Sequence, residues 1–160
     1  MRDLPEFVLL KKYNFELLPY GIAKNENEAI GIAEKLGYPV AVKIISKQIT
    51  HKTEVEGVKI GMRNHASLAI ALREIKDIER TKKIKVDGYL VQKMARKGIE
   101  LIIGAKRDEQ FGHLIVLGLG GIYVEIFRDI SARLCPITAD DVDEMIDELK
   151  SHPVIRGARG

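Results

Sequence analysis

Apolar residues recur along this chain with two different periods, and the switches between them outline its elements. Ala29, Ile32, Ala33 and Leu36 fall at helical spacing and are followed by Gly37 and Pro39, which predicts a helix with Asn27 as its cap. Pro5 opens a shorter predicted helix reaching Tyr13, and Tyr20-Gly21-Ile22 reads as a connection. Val40 to Ile45 and Gly57 to Met62 are apolar runs of strand length. Asn64 then opens a third predicted helix, with Leu68, Leu72, Ile75 and Ile78 along one face. The first half therefore reads α-α-β-β-α, and the polar stretch from Lys82 to Asp87 is the expected join to the second half.

Beyond the join, Tyr89 to Met94, Glu100 to Ala105 and His113 to Gly118 read as successive strands, the last two forming a hairpin around residues 106–112. A further strand is expected from Ala132 to Ile137. Thr138 with Asp141 resembles a capping box with Asp in place of Glu, and Val142, Met145, Ile146 and Leu149 supply the stripe of a final helix. The pattern predicts a mixed α/β (α+β) chain with lobes at residues 1–87 and 88–160.

Composition narrows the class. A chain of 160 residues can bury one core or two small lobes sharing a cleft, and 46% hydrophobic with 31% charged residues is ordinary for a globular protein. No apolar run approaches bilayer-spanning length and the first residues lack a secretory apolar segment, so the expectation is cytoplasmic, with no membrane partner. The net charge of +3 is mild. Arg80 to Lys85 is the one basic cluster and lacks interleaved aromatics, so nucleic acid is not expected as a partner. Cys135 has no cysteine to pair with, and its apolar neighbours predict a packing role.

The candidate chemistry concentrates in a few segments. The polar loop between the two early strands carries His51 flanked by Lys47 and Lys52. A neutral imidazole can accept a phosphoryl group while ammonium groups offset its charge. A surface hairpin with solvated charges is the plain alternative. Lys43 interrupts an apolar strand, and either an anion meets its ammonium or its stem packs while the head reaches water. Gly118, Gly120 and Gly121 form a turn after a strand that can admit phosphate or simply reverse the chain; their spacing matches neither the dinucleotide fingerprint nor a Walker loop. Glu125 can ligate Mg²⁺ and Arg128 and Arg133 can grip phosphate, although structural ion pairs explain the same residues equally well, Asp129 included. The four histidines lack zinc-ligand spacing, and no serine or cysteine nucleophile motif is present.

Taken together, Leu36 to Ile44, His51-Lys52-Thr53-Glu54 with Gly57-Val58, and Gly118 to Glu125 resemble the ATP-grasp β subunit of ADP-forming acetyl-CoA (acyl-CoA) synthetases, relatives of succinyl-CoA synthetase. Phe111-Gly112 and Arg133 to Ile137 fit the same family, in the same order. The resemblance implies an ATP-grasp fold of two small lobes clamping ATP or ADP with Mg²⁺, here with a C-terminal lobe that stops short. It implies reversible conversion of acyl-CoA, ADP and phosphate to acid, CoA and ATP. The implied partner is a CoA-binding α subunit or domain carrying a first phosphohistidine, which supplies the CoA and acyl contacts within a hetero-oligomer. By the same resemblance His51 is the catalytic histidine that passes the phosphoryl group to ADP, and Lys43 and Lys52 face nucleotide phosphates. Gln92, Lys93 and Met94 meet adenine, Glu100 is a nucleotide-side acid, Gly118, Gly120 and Gly121 form the glycine turn, and Glu125 is a metal ligand. Two departures stand out: Glu56 where the family carries a glycine, and a chain that ends before the family's acidic, Asn-containing strand. A non-catalytic nucleotide-binding or regulatory module is the alternative reading.

Overall fold

The computed structural model describes residues 3–49, 55–121 and 129–157. The elements, in chain order, are α1 (Pro5–Lys12), β1 (Tyr20–Ala23), α2 (Glu26–Leu36), β2 (Val40–Ile45), β3 (Val58–Met62), α3 (His65–Lys82), β4 (Gly88–Lys93), β5 (Leu101–Asp108), β6 (Gly112–Leu119), β7 (Ile130–Leu134), α4 (Ala139–Glu148) and a short α5 (His152–Ile155). They divide into two compact units, Met1–Arg96 and Lys97–Gly160.

The first unit is a four-stranded antiparallel sheet in the order β1-β4-β2-β3. Val40, Val42 and Ile44 of β2 and Tyr89 and Val91 of β4 point to one face, where they share a core with Ala29 and Ala33 of α2 and Leu68, Leu72 and Ile75 of α3. Strand alternation sends Ala41, Lys43, Leu90 and Gln92 to the opposite face. Asn64 caps α3 as expected, with a capping box completed by Ser67. The cap of α2 is Asn25 rather than Asn27, because its side chain accepts the Glu28 amide one turn in.

Two expectations change here. Tyr20–Ala23 is a strand, too short and too weakly alternating to show as one in the sequence. The first unit does not end at Asp87: β4 lies between β1 and β2 and shares the core, so the unit runs to Arg96.

The second unit is a three-stranded antiparallel sheet, β5-β6-β7, in which the predicted hairpin pairs Leu101 with Leu119 through to Asp108 with Gly112. Asp108 Oδ1 accepts the Gln110 and Phe111 amides at the hairpin tip, and these bonds hold its carboxyl below the usual range. The last strand starts at Ile130, earlier than expected, and stops at Leu134. Leu117, Met145 and Leu149 form the buried cluster between β6 and α4. Thr138 and Asp141 make the predicted capping box. Cys135 is exposed, contrary to its expected packing role, because it lies just past the end of β7. Among the described residues, no helix is long and apolar enough to cross a membrane.

Candidate functional site

In the first unit the structure brings together two residues that the sequence separates by half the unit. Lys43 of β2 and Gln92 of β4 lie on adjacent hydrogen-bonded strands, with Ala41 opposite Gln92 and Lys43 opposite Leu90. Their side chains are diagonal neighbours, and Lys43 Nζ donates to Gln92 Oε1 at 3.2 Å. Both are half-buried, while Ala41 and Leu90 beside them are buried. The pair is a polar spot on an apolar sheet face turned away from α2 and α3.

Lys93, expected at the nucleotide, uses its ammonium differently. Its Nζ donates to the carbonyls of Gly37 at 2.6 Å and Tyr38 at 3.0 Å, at the C-terminal end of α2. A cation there meets carbonyls that the helix itself leaves unpaired. The Met94 amide donates to Pro39 O, so the end of β4 is fastened to the start of β2.

His51 and Lys52 lie outside the described residues, as does Glu125. The approach to the His51 loop is fixed by bonds that no local spacing reveals: Asp87 accepts the Lys47 amide, and Gln48 Oε1 accepts the Lys85 amide. Ile49 and Val55, on either side of the loop, pack against the core of the first unit. Glu56 sits at φ +57°, a left-handed conformation that favours glycine, which accounts for a glycine being usual there in the resembled family.

In the second unit the glycine turn and Glu100 do meet. The Gly120 amide donates to Glu100 O at 2.6 Å. A Cβ on Gly120 would lie 3.0 Å from that carbonyl group, and one on Gly118 would lie 2.7 Å from Asp129 O. Close backbone approach is therefore a sufficient reason for both glycines. Gly121 has φ +65°, and the Glu100 carboxylate lies beside it.

The charged residues after that turn divide into structural roles where they are described. Arg133 is held by Glu148 through two hydrogen bonds, at 2.9 and 2.6 Å, so its guanidinium serves an ion pair. Arg133, with Ser131 donating to the same carboxylate, holds Glu148 down at about 2. Asp129 is buried and accepts the amides of Lys150 and Ser151. Burial pushes its carboxyl up, but the hydrogen bonds from Ser151 and Lys150 outweigh that and keep it below the usual range.

No three His, Cys, Asp or Glu residues converge as a metal site among the described residues. A Mg²⁺ that arrives on a nucleotide needs only one or two carboxylates besides phosphate oxygens, so such an ion does not require a cluster of three.

A family model described as the ATP-grasp domain matches residues 4–160. ADP-forming acetate–CoA ligase I of Archaeoglobus fulgidus is 44% identical over 153 residues, which are 95% of this chain and 22% of that protein. The β subunit of ADP-forming acetate–CoA ligase I of Pyrococcus furiosus is 43% identical over 154 residues, 95% of this chain and 66% of the subunit. The chain thus spans between about a fifth and two thirds of these relatives. Among solved structures, acetyl-coenzyme A synthetase 1 of Ca. Korarchaeum cryptofilum, in complex with coenzyme A, Ca-AMPCP and HgCl+, superposes with a TM-score of 0.87 at 38% identity, covering 96% of this chain and 68% of that one. A second structure of that synthetase holds coenzyme A and Mg-AMPPCP, with a phosphohistidine segment pointing towards the nucleotide binding site; its TM-score is 0.74 at 37% identity, over 96% of this chain and 66% of that one. With nearly its whole length matched by the family model and its two antiparallel sheets shared with these structures, the chain belongs to the ATP-grasp domain family and is similar to β subunits of ADP-forming acetyl-CoA synthetases.

Proposed function

We propose that this chain is the nucleotide-binding component of an ADP-forming acyl-CoA synthetase, moving a phosphoryl group between His51 and ADP or ATP. Family membership supports the nucleotide, and the observation that carries the reading is the Lys43–Gln92 pair, a cation fixed on the sheet face turned away from α2 and α3. The whole reaction in this reading is the reversible conversion of acyl-CoA, ADP and phosphate to acid, CoA and ATP. In the step assigned to this chain, a terminal oxygen of ADP attacks the phosphorus on His51. The N–P bond breaks, its electron pair returns to the ring nitrogen, and ATP forms.

Lys43 and Lys52 offset the charge of the transferring group. Lys93 and Met94 border the nucleoside, Lys93 through its backbone because its ammonium is engaged by Gly37 and Tyr38, and Gln92 precedes them on the strand beside Lys43. By the family resemblance, Glu100 and the turn at Gly118, Gly120 and Gly121 are further candidates for nucleotide contact. Mg²⁺, when bound, neutralises phosphate charge, with Glu125 as its candidate ligand. The partner is a CoA-binding α subunit that carries the first phosphohistidine and presents CoA and the acyl group, in a cytoplasmic hetero-oligomer.

The test mixes the chain with such a partner, acyl-CoA and labelled phosphate. Acid-labile label is expected on the wild type and not on His51→Ala. Equal labelling of both would exclude His51 as the carrier, and nucleotide binding without any label would favour a regulatory module instead.

A further inference from the structure

We infer that Gln92 is a positioning residue for the phosphate side of the nucleotide site, acting through Lys43, and is not a reader of the base. The inference rests on the nucleotide-binding reading above and assigns one of its residues a definite task.

A lysine head on a four-carbon stem has many rotamers, and an anion that captures it must first restrict them. In this fold part of that restriction is already made. The β2–β4 register puts the two side chains on one sheet face, and Gln92 Oε1 accepts from Lys43 Nζ. An ammonium has only donors, so the amide must turn its oxygen to Lys43. A glutamine that reads adenine in bidentate fashion needs both its oxygen and its nitrogen. Here one of that oxygen's two acceptor positions is taken by the lysine, which fixes the plane of the amide.

The choice of an amide also has an electrostatic meaning. Gln92 orients the ammonium through a neutral acceptor. A glutamate of the same length would hold it equally well but would place a carboxylate where phosphate oxygens approach. The backbone under the pair is firm, because Ala41 and Leu90, the cross-strand partners of Gln92 and Lys43, are buried.

The experiment measures binding of ADP, AMP and adenosine by calorimetry to the full chain, with melting curves to show that each variant is folded. Gln92→Met should weaken ADP by about tenfold and adenosine by less than about twofold, the scale of losing a hydrogen bond to a charged group. Gln92→Glu, nearly isosteric, should weaken ADP more than AMP and AMP more than adenosine. In a Lys43→Met background, Gln92→Met should add no further loss, since its effect runs through the lysine. Equal losses for adenosine and ADP, or additive losses in the double variant, would overturn the inference and make Gln92 a base contact. If the wild-type chain binds neither ADP nor ATP, the nucleotide reading itself fails and takes the inference with it.

Discussion

In the first unit, Leu68, Leu72 and Ile75 of α3 are almost fully buried against Val40, Val42 and Ile44 of β2. In the second, the buried apolar cluster is Leu117, Met145 and Leu149, while Leu101, Ile102, Ile103, Ile130 and Leu134 are between 43% and 62% exposed. Among its described residues the second unit adds polar fastenings to this smaller cluster: Arg133 on Glu148, and Asp129 on the amides of Lys150 and Ser151. Each buried aliphatic side chain contributes about 1.5–3 kcal/mol, whereas exposed ion pairs contribute less than about 1. The comparison teaches that, among the described residues, the unit carrying Lys43 and Gln92 is held mainly by apolar packing and the unit carrying the glycine turn more by directional bonds.

The largest expected effect falls on the first core. Leu68→Ala should cost about 3 kcal/mol in urea unfolding, with hydrogen-exchange protection lost across β2 and β4. Met145→Ala should cost about 2 kcal/mol and expose β6 amides first; a loss as large as that of Leu68→Ala would erase the contrast between the units. Gly21→Ala should cost about 1–2 kcal/mol, because the new Cβ would lie 2.7 Å from Ile32 Cγ2 and push α2 off β1. Glu56→Gly should raise stability by about 0.5 kcal/mol by relieving its positive φ, and a loss in the thermal melt would refute that reading.

Acid gives the smallest effect and the one most specific to the second unit. Glu148 titrates at about 2 in the fold against an ordinary 4.5, so its contribution is full above about 4.5 and fades as pH falls towards 2. Hydrogen-exchange protection factors across β6 and β7, taken relative to the intrinsic rate at each pH, should fall in that window in wild type. In Arg133→Met that acid dependence should largely vanish.

Much of the fold was legible because local signals agreed with one another. Val40–Ile45 is an apolar run broken only by Lys43, Asn64 precedes a clean helical stripe, and Thr138 and Asp141 stand at capping-box spacing. Tyr20–Ala23 was not legible, since it is a strand by virtue of pairing with β4, and neither was the membership of β4 in the first sheet. At the candidate site, residue types gave Lys43 and Gln92 individually. Their contact, and the engagement of Lys93 by Gly37 and Tyr38, depend on strand register over more than 45 residues of separation.

The sequence by itself determined that most of these helices and strands exist, which faces they bury and which family the chain belongs to, because periodicity, caps and motif order are properties of neighbouring residues. Tertiary structure alone decided that Lys93 and Arg133 are structural cations, that Gly118 and Gly120 are required by backbone approach, and that Lys43 is held by Gln92. Those outcomes turn on which strands lie side by side. Backbone hydrogen bonding between distant segments sets that order, and no local pattern encodes it.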